Sequence, residues 1–128
     1  MLGDFSRVDK KLILIVDDDQ GIRDALSELF EMEGYGVKLA TNGEEGLQCL
    51  RTMDPEPDLV LLDLMMPAVD GLEFRHRQMS ENIRTHIPVV LMSADGQIEK
   101  KRISSGITDH LRKPMDISQV MQRMLCAV

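Results

Sequence analysis

The chain has 128 residues, enough at roughly 100–200 residues per domain for one domain with a proper core and no second catalytic unit. Its 43% hydrophobic and 29% charged residues exclude a disordered chain, and 22 Asp and Glu against 15 Lys and Arg leave a formal charge of −7, the wrong sign for neutralising nucleic-acid phosphates or anionic lipid. Three Phe, one Tyr and no Trp exclude a stacking platform for bases and leave the core to aliphatic residues and Met.

Residues 1–10 read as a flexible N-terminal segment and 11–128 as a single domain. Residues 12–16 (LILIV) are a short apolar run rich in β-branched side chains, the pattern of a strand buried on both faces. Apolar residues then recur at Ile22, Ala25, Leu26, Leu29 and Phe30 as a helical stripe that stops near Gly34. A second strand follows over 36–40. Asn42 with Glu45 three residues on has the capping-box pattern and opens a helix with Leu47, Leu50 and Met53 inward, punctuated by Pro55 and Pro57. Residues 59–62 form the third strand. Pro67 and the Asp70-Gly71 turn lead into a helix with Leu72, Met79 and Ile83 at helical spacing, although Arg75 and His76 sit close to that stripe. A fourth strand over 89–92, a short helix over about 97–104, a weak fifth strand over 107–111 and a helix capped by Asp116 and Gln119 complete the series.

Strands alternating with helices predict an open, doubly wound, five-stranded parallel sheet with five helices in three α/β/α layers, a flavodoxin-like arrangement of strand order 2-1-3-4-5. No apolar run approaches the roughly 18 residues of a membrane span, and residues 1–11 lack the apolar stretch of a secretory signal, which predicts a cytoplasmic protein. Cys49 and Cys126 lack metal-ligand spacing and are predicted to be free thiols.

In such sheets ligands bind outside the carboxyl ends of the strands. Asp17 and Asp18 follow the first strand, Asp63 the third, Ser93 the fourth, and Lys113-Pro114 the fifth, while the second ends without a charge. Three carboxylates in one crevice repel by about 4 kcal/mol per pair at 4 Å and an effective dielectric of 20, so cations must compensate. Lys113 supplies one, and a hard divalent ion, Mg²⁺ before Ca²⁺, the rest. A metal and an ammonium beside a carboxylate make a phosphoryl-transfer site with the carboxylate as nucleophile and Ser93 hydrogen-bonding a phosphoryl oxygen. Each residue also has a plainer explanation. The Asp17-Asp18-Asp19 run could cap a helix, but two adjacent carboxylates before it exceed what capping needs. Lys113 alone could be a solvated loop residue. Asp63, at the end of a buried run, is costly unless paired. His76, His86 and His110 read as partly buried face residues, since no second ligand stands at metal spacing, and Lys100, Lys101 and Arg102 as a solvated helix face.

These residues resemble the response-regulator receiver domains of two-component signalling across nearly the whole chain. The sequence IVDDD at 15–19 looks like the family's acidic pair, LLDLMMP at 61–67 with Asp70-Gly71 like its phosphoacceptor loop, Met92-Ser93-Ala94 like its switch strand end, and Lys113-Pro114 like its lysine and following cis-proline. The resemblance implies that Asp63 accepts a phosphoryl group from a histidine kinase or histidine phosphotransfer protein. It implies that Asp18 and Asp63 ligate Mg²⁺ directly, Asp17 through water, and the Met65 backbone carbonyl completes the protein ligands. Ser93 and His110 take the switch positions, His110 where an aromatic residue is commoner, and the surface of the fourth helix, fifth strand and fifth helix changes on activation. Met65 and Asp95 occupy the positions that control access of the hydrolytic water. The stretch 93–113 is about two residues shorter than usual, and Arg75 stands where an apolar residue is usual.

With its end just after the predicted fifth helix, the chain resembles the stand-alone, chemotaxis-type receivers, unless it is a fragment of a longer regulator. These act through a downstream protein, with no direct nucleic-acid or membrane contact, as a monomer or phosphorylation-dependent dimer, and they are not enzymes beyond assisting their own phosphorylation and dephosphorylation. Two alternatives stand beside this reading. A Mg²⁺-dependent aspartyl-phosphate phosphatase needs an acid/base Asp where Met65 stands. A degenerate receiver serving only as a binding module would lack one of Asp18, Asp63, Ser93 or Lys113, and all are present.

Overall fold

The computed structural model describes residues 11–93 and 109–112. Five parallel strands, β1 (Leu12–Val16), β2 (Gly36–Ala40), β3 (Leu59–Asp63), β4 (Val89–Ser93) and β5 (Asp109–Arg112), form one sheet in the order β2-β1-β3-β4-β5, as the sequence predicts. The helices among the described residues are α1 (Gln20–Met32), α2 (Gly43–Thr52) and α3 (Gly71–Ser80). The two later helices predicted from sequence lie outside the described residues.

Alternation along each central strand sends side chains to two cores. Leu14, Val16, Val60, Leu62, Val89 and Leu91 meet Leu47, Leu50 and Phe74 on one face. Ile13, Ile15, Leu59, Leu61, Val90 and Met92 meet Leu26 and Phe30 of α1 on the other. This double burial explains why the strands read as unbroken apolar runs. Fully buried Phe30 and Phe74 anchor the two layers, and Phe30 meets the Tyr35 ring edge-on at 5.8 Å.

Four details differ from the sequence reading. The α1 stripe is narrower: Leu26 and Phe30 are buried and Ile22 packs against them, whereas Ala25 and Leu29 are exposed, because one sheet face needs only one ridge of the helix. In α3 the buried side chains are Phe74 and Gln78, not Met79, which is half exposed, and Ile83 reaches the core only after the chain has left the helix. Gln78 tolerates full burial because its amide accepts from Arg75 Nη1 at 2.8 Å and donates to the Arg84 carbonyl at 3.4 Å. The fifth strand is described over Asp109–Arg112 and runs one residue past its predicted end at Leu111. His76 and His86 are exposed rather than partly buried, and His86 Nε2 lies 2.7 Å from a Glu56 carboxylate oxygen. Cys49 is a free thiol, partly buried against the core, and burial pushes its pKa up.

Candidate functional site

The site lies at the carboxyl edge, between β1 and β3. There the strand order reverses direction, since β1 connects outward to β2 on one side while β3 begins the series to β5 on the other. That reversal leaves a crevice between the loops leaving the two strands.

Asp17 follows β1 directly, and its N–H donates to the Ala40 carbonyl at 3.2 Å, extending the ladder by one residue. The chain then turns into α1. Asp19 is the N-cap, its carboxylate accepting from Ile22 N–H at 3.1 Å, while Asp17 Oδ1 accepts from Asp19 N–H at 2.9 Å. The capping role foreseen as the plain explanation thus belongs to Asp19 and leaves Asp17 and Asp18 for the crevice. Across from them Asp63 ends β3, pairs in register with Met92 and is 3% exposed. Carboxylate oxygens of Asp17, Asp18 and Asp63 all lie within 4.8 Å of one another, with Asp17 and Asp63 buried and Asp18 exposed.

The loop from Asp63 to α3 is held from both sides. Met65 N–H donates to Asp63 Oδ1 at 3.3 Å, and Asp70 caps α3 by accepting from Glu73 N–H at 2.9 Å. Gly71 is required by close approach, since a Cβ there would sit 2.9 Å from Leu64 Cα and 3.0 Å from the Asp63 carbonyl oxygen. A Cβ on Gly43, at the start of α2, would collide with the Val69 carbonyl and side chain. Ala68 takes a left-handed φ of 63°, strain of the kind that clusters around binding loops. A cleft of about 390 Å³, lined by Asp18, Thr41, Asn42, Pro67, Ala68 and Val69 among others, opens between this loop and α2.

Of the residues singled out from sequence, the structure brings Asp17, Asp18 and Asp63 together, with Met65 beside them and its side chain 63% exposed. Ser93 ends β4 one residue past the Met92 that pairs with Asp63, and His110 pairs in register with Leu91 on β5. Asp95, Lys113 and Pro114 lie outside the described residues, as do Cys126 and the Lys100, Lys101 and Arg102 cluster. Sequence reasoning missed Arg23, whose Nη1 donates to the Asp17 carbonyl at 2.8 Å, and Gly43, whose position just after a cap residue was the available signal.

Chemically, three carboxylates this close favour a small hard cation. Two buried and one exposed oxygen donor, with room for water at the exposed side, suit Mg²⁺, which binds through a few carboxylates and keeps several waters. Repulsion of about 4 kcal/mol per pair, reduced by screening at Asp18, is what such an ion would relieve.

Sheet order and acidic crevice together define a doubly wound α/β domain with three carboxylates converging at its switch point. Residues 13–125 match the response regulator receiver domain family, and the chain belongs to that family. It is 43% identical over 113 residues to sporulation initiation phosphotransferase F of Bacillus subtilis, covering 84% of this chain and 86% of that protein. It is 41% identical over 114 residues to the DNA-binding dual master transcriptional regulator RpaA of Synechocystis, covering 88% of this chain and 46% of RpaA. The chain thus spans about half the length of RpaA and of other curated relatives such as the response regulator MprA, at 48%. Among solved structures, the Francisella response regulator 1452 receiver domain superposes with a TM-score of 0.82 at 28% identity, over 92% of this chain and 96% of that one. The chain is therefore a receiver domain of two-component response regulators, a signalling domain. Among the described residues no helix is long and apolar enough to cross a membrane.

Proposed function

We propose that residues 11–128 act as a phosphorylation-dependent switch in which Asp63 accepts a phosphoryl group from a histidine kinase or histidine phosphotransfer protein. The observation that carries this reading is the convergence of Asp17, Asp18 and Asp63 at the end of two buried strands, with Asp63 following the more completely buried one. A carboxylate oxygen of Asp63 attacks phosphorus in line with the leaving group. An O–P bond forms as the N–P bond of the phosphohistidine breaks, and the departing imidazole keeps the electron pair and takes up a proton.

Asp18 and Asp63 would hold Mg²⁺ directly, Asp17 through water and Met65 through its carbonyl; when bound there, the ion would supply positive charge against the phosphoryl oxygens. From the family resemblance, Lys113, which Pro114 follows, pairs with the phosphoryl group, and Ser93 hydrogen-bonds a phosphoryl oxygen. His110 follows Ser93, changing the surface of β5 and its flanking helices for a downstream protein partner. Asp95 and Met65 set the lifetime of the acyl phosphate. The domain works in the cytoplasm, without direct nucleic-acid or membrane contact, as a monomer or a phosphorylation-dependent dimer, and slowly dephosphorylates itself.

The test is intact-mass measurement after incubation with acetyl phosphate and Mg²⁺. The wild type should gain one phosphoryl group, and Asp63→Asn, or the wild type in excess chelator, none. Equal labelling of Asp63→Asn would refute the assignment, and a wild type that stays unlabelled would leave the binding-module alternative.

A further inference from the structure

Arg23 stands on α1 four residues after the N-cap Asp19, one helical turn on, and reaches back to the end of β1. Its Nη1 donates to the Asp17 carbonyl at 2.8 Å. Asp17 is completely buried, and a charged donor on a buried carbonyl makes a short, directional bond. That carbonyl belongs to the peptide joining Asp17 to Asp18. Since the peptide unit is planar, holding its oxygen fixes the plane and the direction in which the chain carries the Asp18 side chain. Two more bonds close the same turn, Asp19 N–H to Asp17 Oδ1 and Ile22 N–H to Asp19 Oδ1. None of these three bonds involves the Asp18 carboxylate, which is nonetheless part of the cluster from an exposed position. Its aim is set by the backbone beneath it.

We propose that Arg23 is a positioning residue for divalent-cation binding, holding the Asp17-Asp18 peptide so that the Asp18 carboxylate stays within reach of Asp63. The inference rests on reading the acidic cluster as a Mg²⁺ site. Two physical effects of Arg23 have opposite signs. As a nearby positive charge it repels a cation, so its removal by that route tightens binding. As a clamp on the peptide it presents a ligand, so its removal by that route weakens binding. Substitution therefore distinguishes the two without reference to stability.

The experiment titrates Mg²⁺ alone into the full chain, as wild type, Arg23→Met and Arg23→Lys, following amide chemical shifts of residues 17–19 and 63–65. Arg23→Met keeps the stem packing and loses the donor, and Kd should rise on the order of tenfold, the loss expected for a hydrogen bond from a charged group. Arg23→Lys keeps charge and a donor, one atom shorter, and should recover most of the affinity. At saturating Mg²⁺ the Met variant should take a phosphoryl group from acetyl phosphate at close to the wild-type rate, which places the lesion in affinity. Arg23→Gln, whose amide is too short to reach the carbonyl, repeats the reading should the Met variant not fold. Mg²⁺ binding as tight as wild type, or tighter, in a folded Met or Gln variant overturns the proposal. If the wild type itself shows no shifts with Mg²⁺, the cation reading of the cluster fails and this inference with it; normal wild-type binding with an unaffected variant fails the inference alone.

Discussion

The two edges of the sheet use acidic residues in opposite ways. At the amino edge Asp58 and Glu56 each meet a donor of their own: Asp58 Oδ2 accepts from Leu12 N–H at 2.8 Å while Asp58 N–H donates to the Leu12 carbonyl, and Glu56 meets His86. Arg84 Nη1 closes the same edge by donating to the Met53 carbonyl at 2.7 Å, at the end of α2. At the carboxyl edge three carboxylates converge within 4.8 Å of one another, although Asp17 and Asp63 also accept from backbone N–H groups. Dispersed acids tie loops to strands and stabilise the fold, whereas converged acids spend stability and gain a binding site. The number of acidic residues says little about function; their convergence says most.

The largest expected effect tests the carboxyl edge directly. Asp63→Asn should lose all labelling by acetyl phosphate without lowering its urea midpoint, because the amide preserves the shape at the end of β3 and removes a carboxylate from the repelling cluster.

Next comes the packing that brings the loop to the site. Gly43→Ala should destabilise by about 1–3 kcal/mol in urea denaturation, since the added methyl has no space beside Val69 and overpacking costs that much.

The contrast between edges sharpens with a pair of variants of opposite sign. Asp58→Ala should lower stability by about 1–2 kcal/mol, for a charged acceptor removed from a backbone N–H, and leave Mg²⁺ affinity unchanged. Asp18→Asn should raise the stability of the metal-free protein, by up to about 1 kcal/mol after solvent screening, while weakening Mg²⁺ binding. The same sign of stability change in both would break the comparison.

The smallest effect concerns lifetime. Met65 is 63% exposed beside Asp63, a flexible thioether that can cover a phosphoryl group but cannot orient water. Decay of the phosphorylated form in excess Mg²⁺, after the donor is removed, should quicken about threefold in Met65→Asn, a change of well under 1 kcal/mol in the barrier. Unchanged or slower decay would show that Met65 is no shield.

How much of this was legible beforehand varied with how local the physics is. The bounds of β1 and β2 agree with the sequence reading because apolar runs end at charged or turn residues. β3 and β4 each run one residue further, since the ladder continues through Asp63 and Ser93 whatever their polarity. The acidic cluster was legible because strand ends in a parallel sheet share one edge. α3 was misread at Met79 because its inward partner for Phe74 is a glutamine, buried by hydrogen bonds that no apolar pattern records. Arg23 escaped notice for a related reason: its bond goes to a backbone carbonyl, which every residue has.

The contact between Gly43 and the Val69 carbonyl bears on how this chain can change through evolution. A clash with a side chain can be relieved by a smaller partner, so two such positions vary together. Here the obstructing atom belongs to the main chain, and no replacement at position 69 removes it. Only a different path for the 64–70 segment would free position 43. Insertions and deletions in that segment are therefore constrained by a residue twenty or so positions upstream, on another helix, and a relative with a longer or shorter loop should be the one that carries a side chain there.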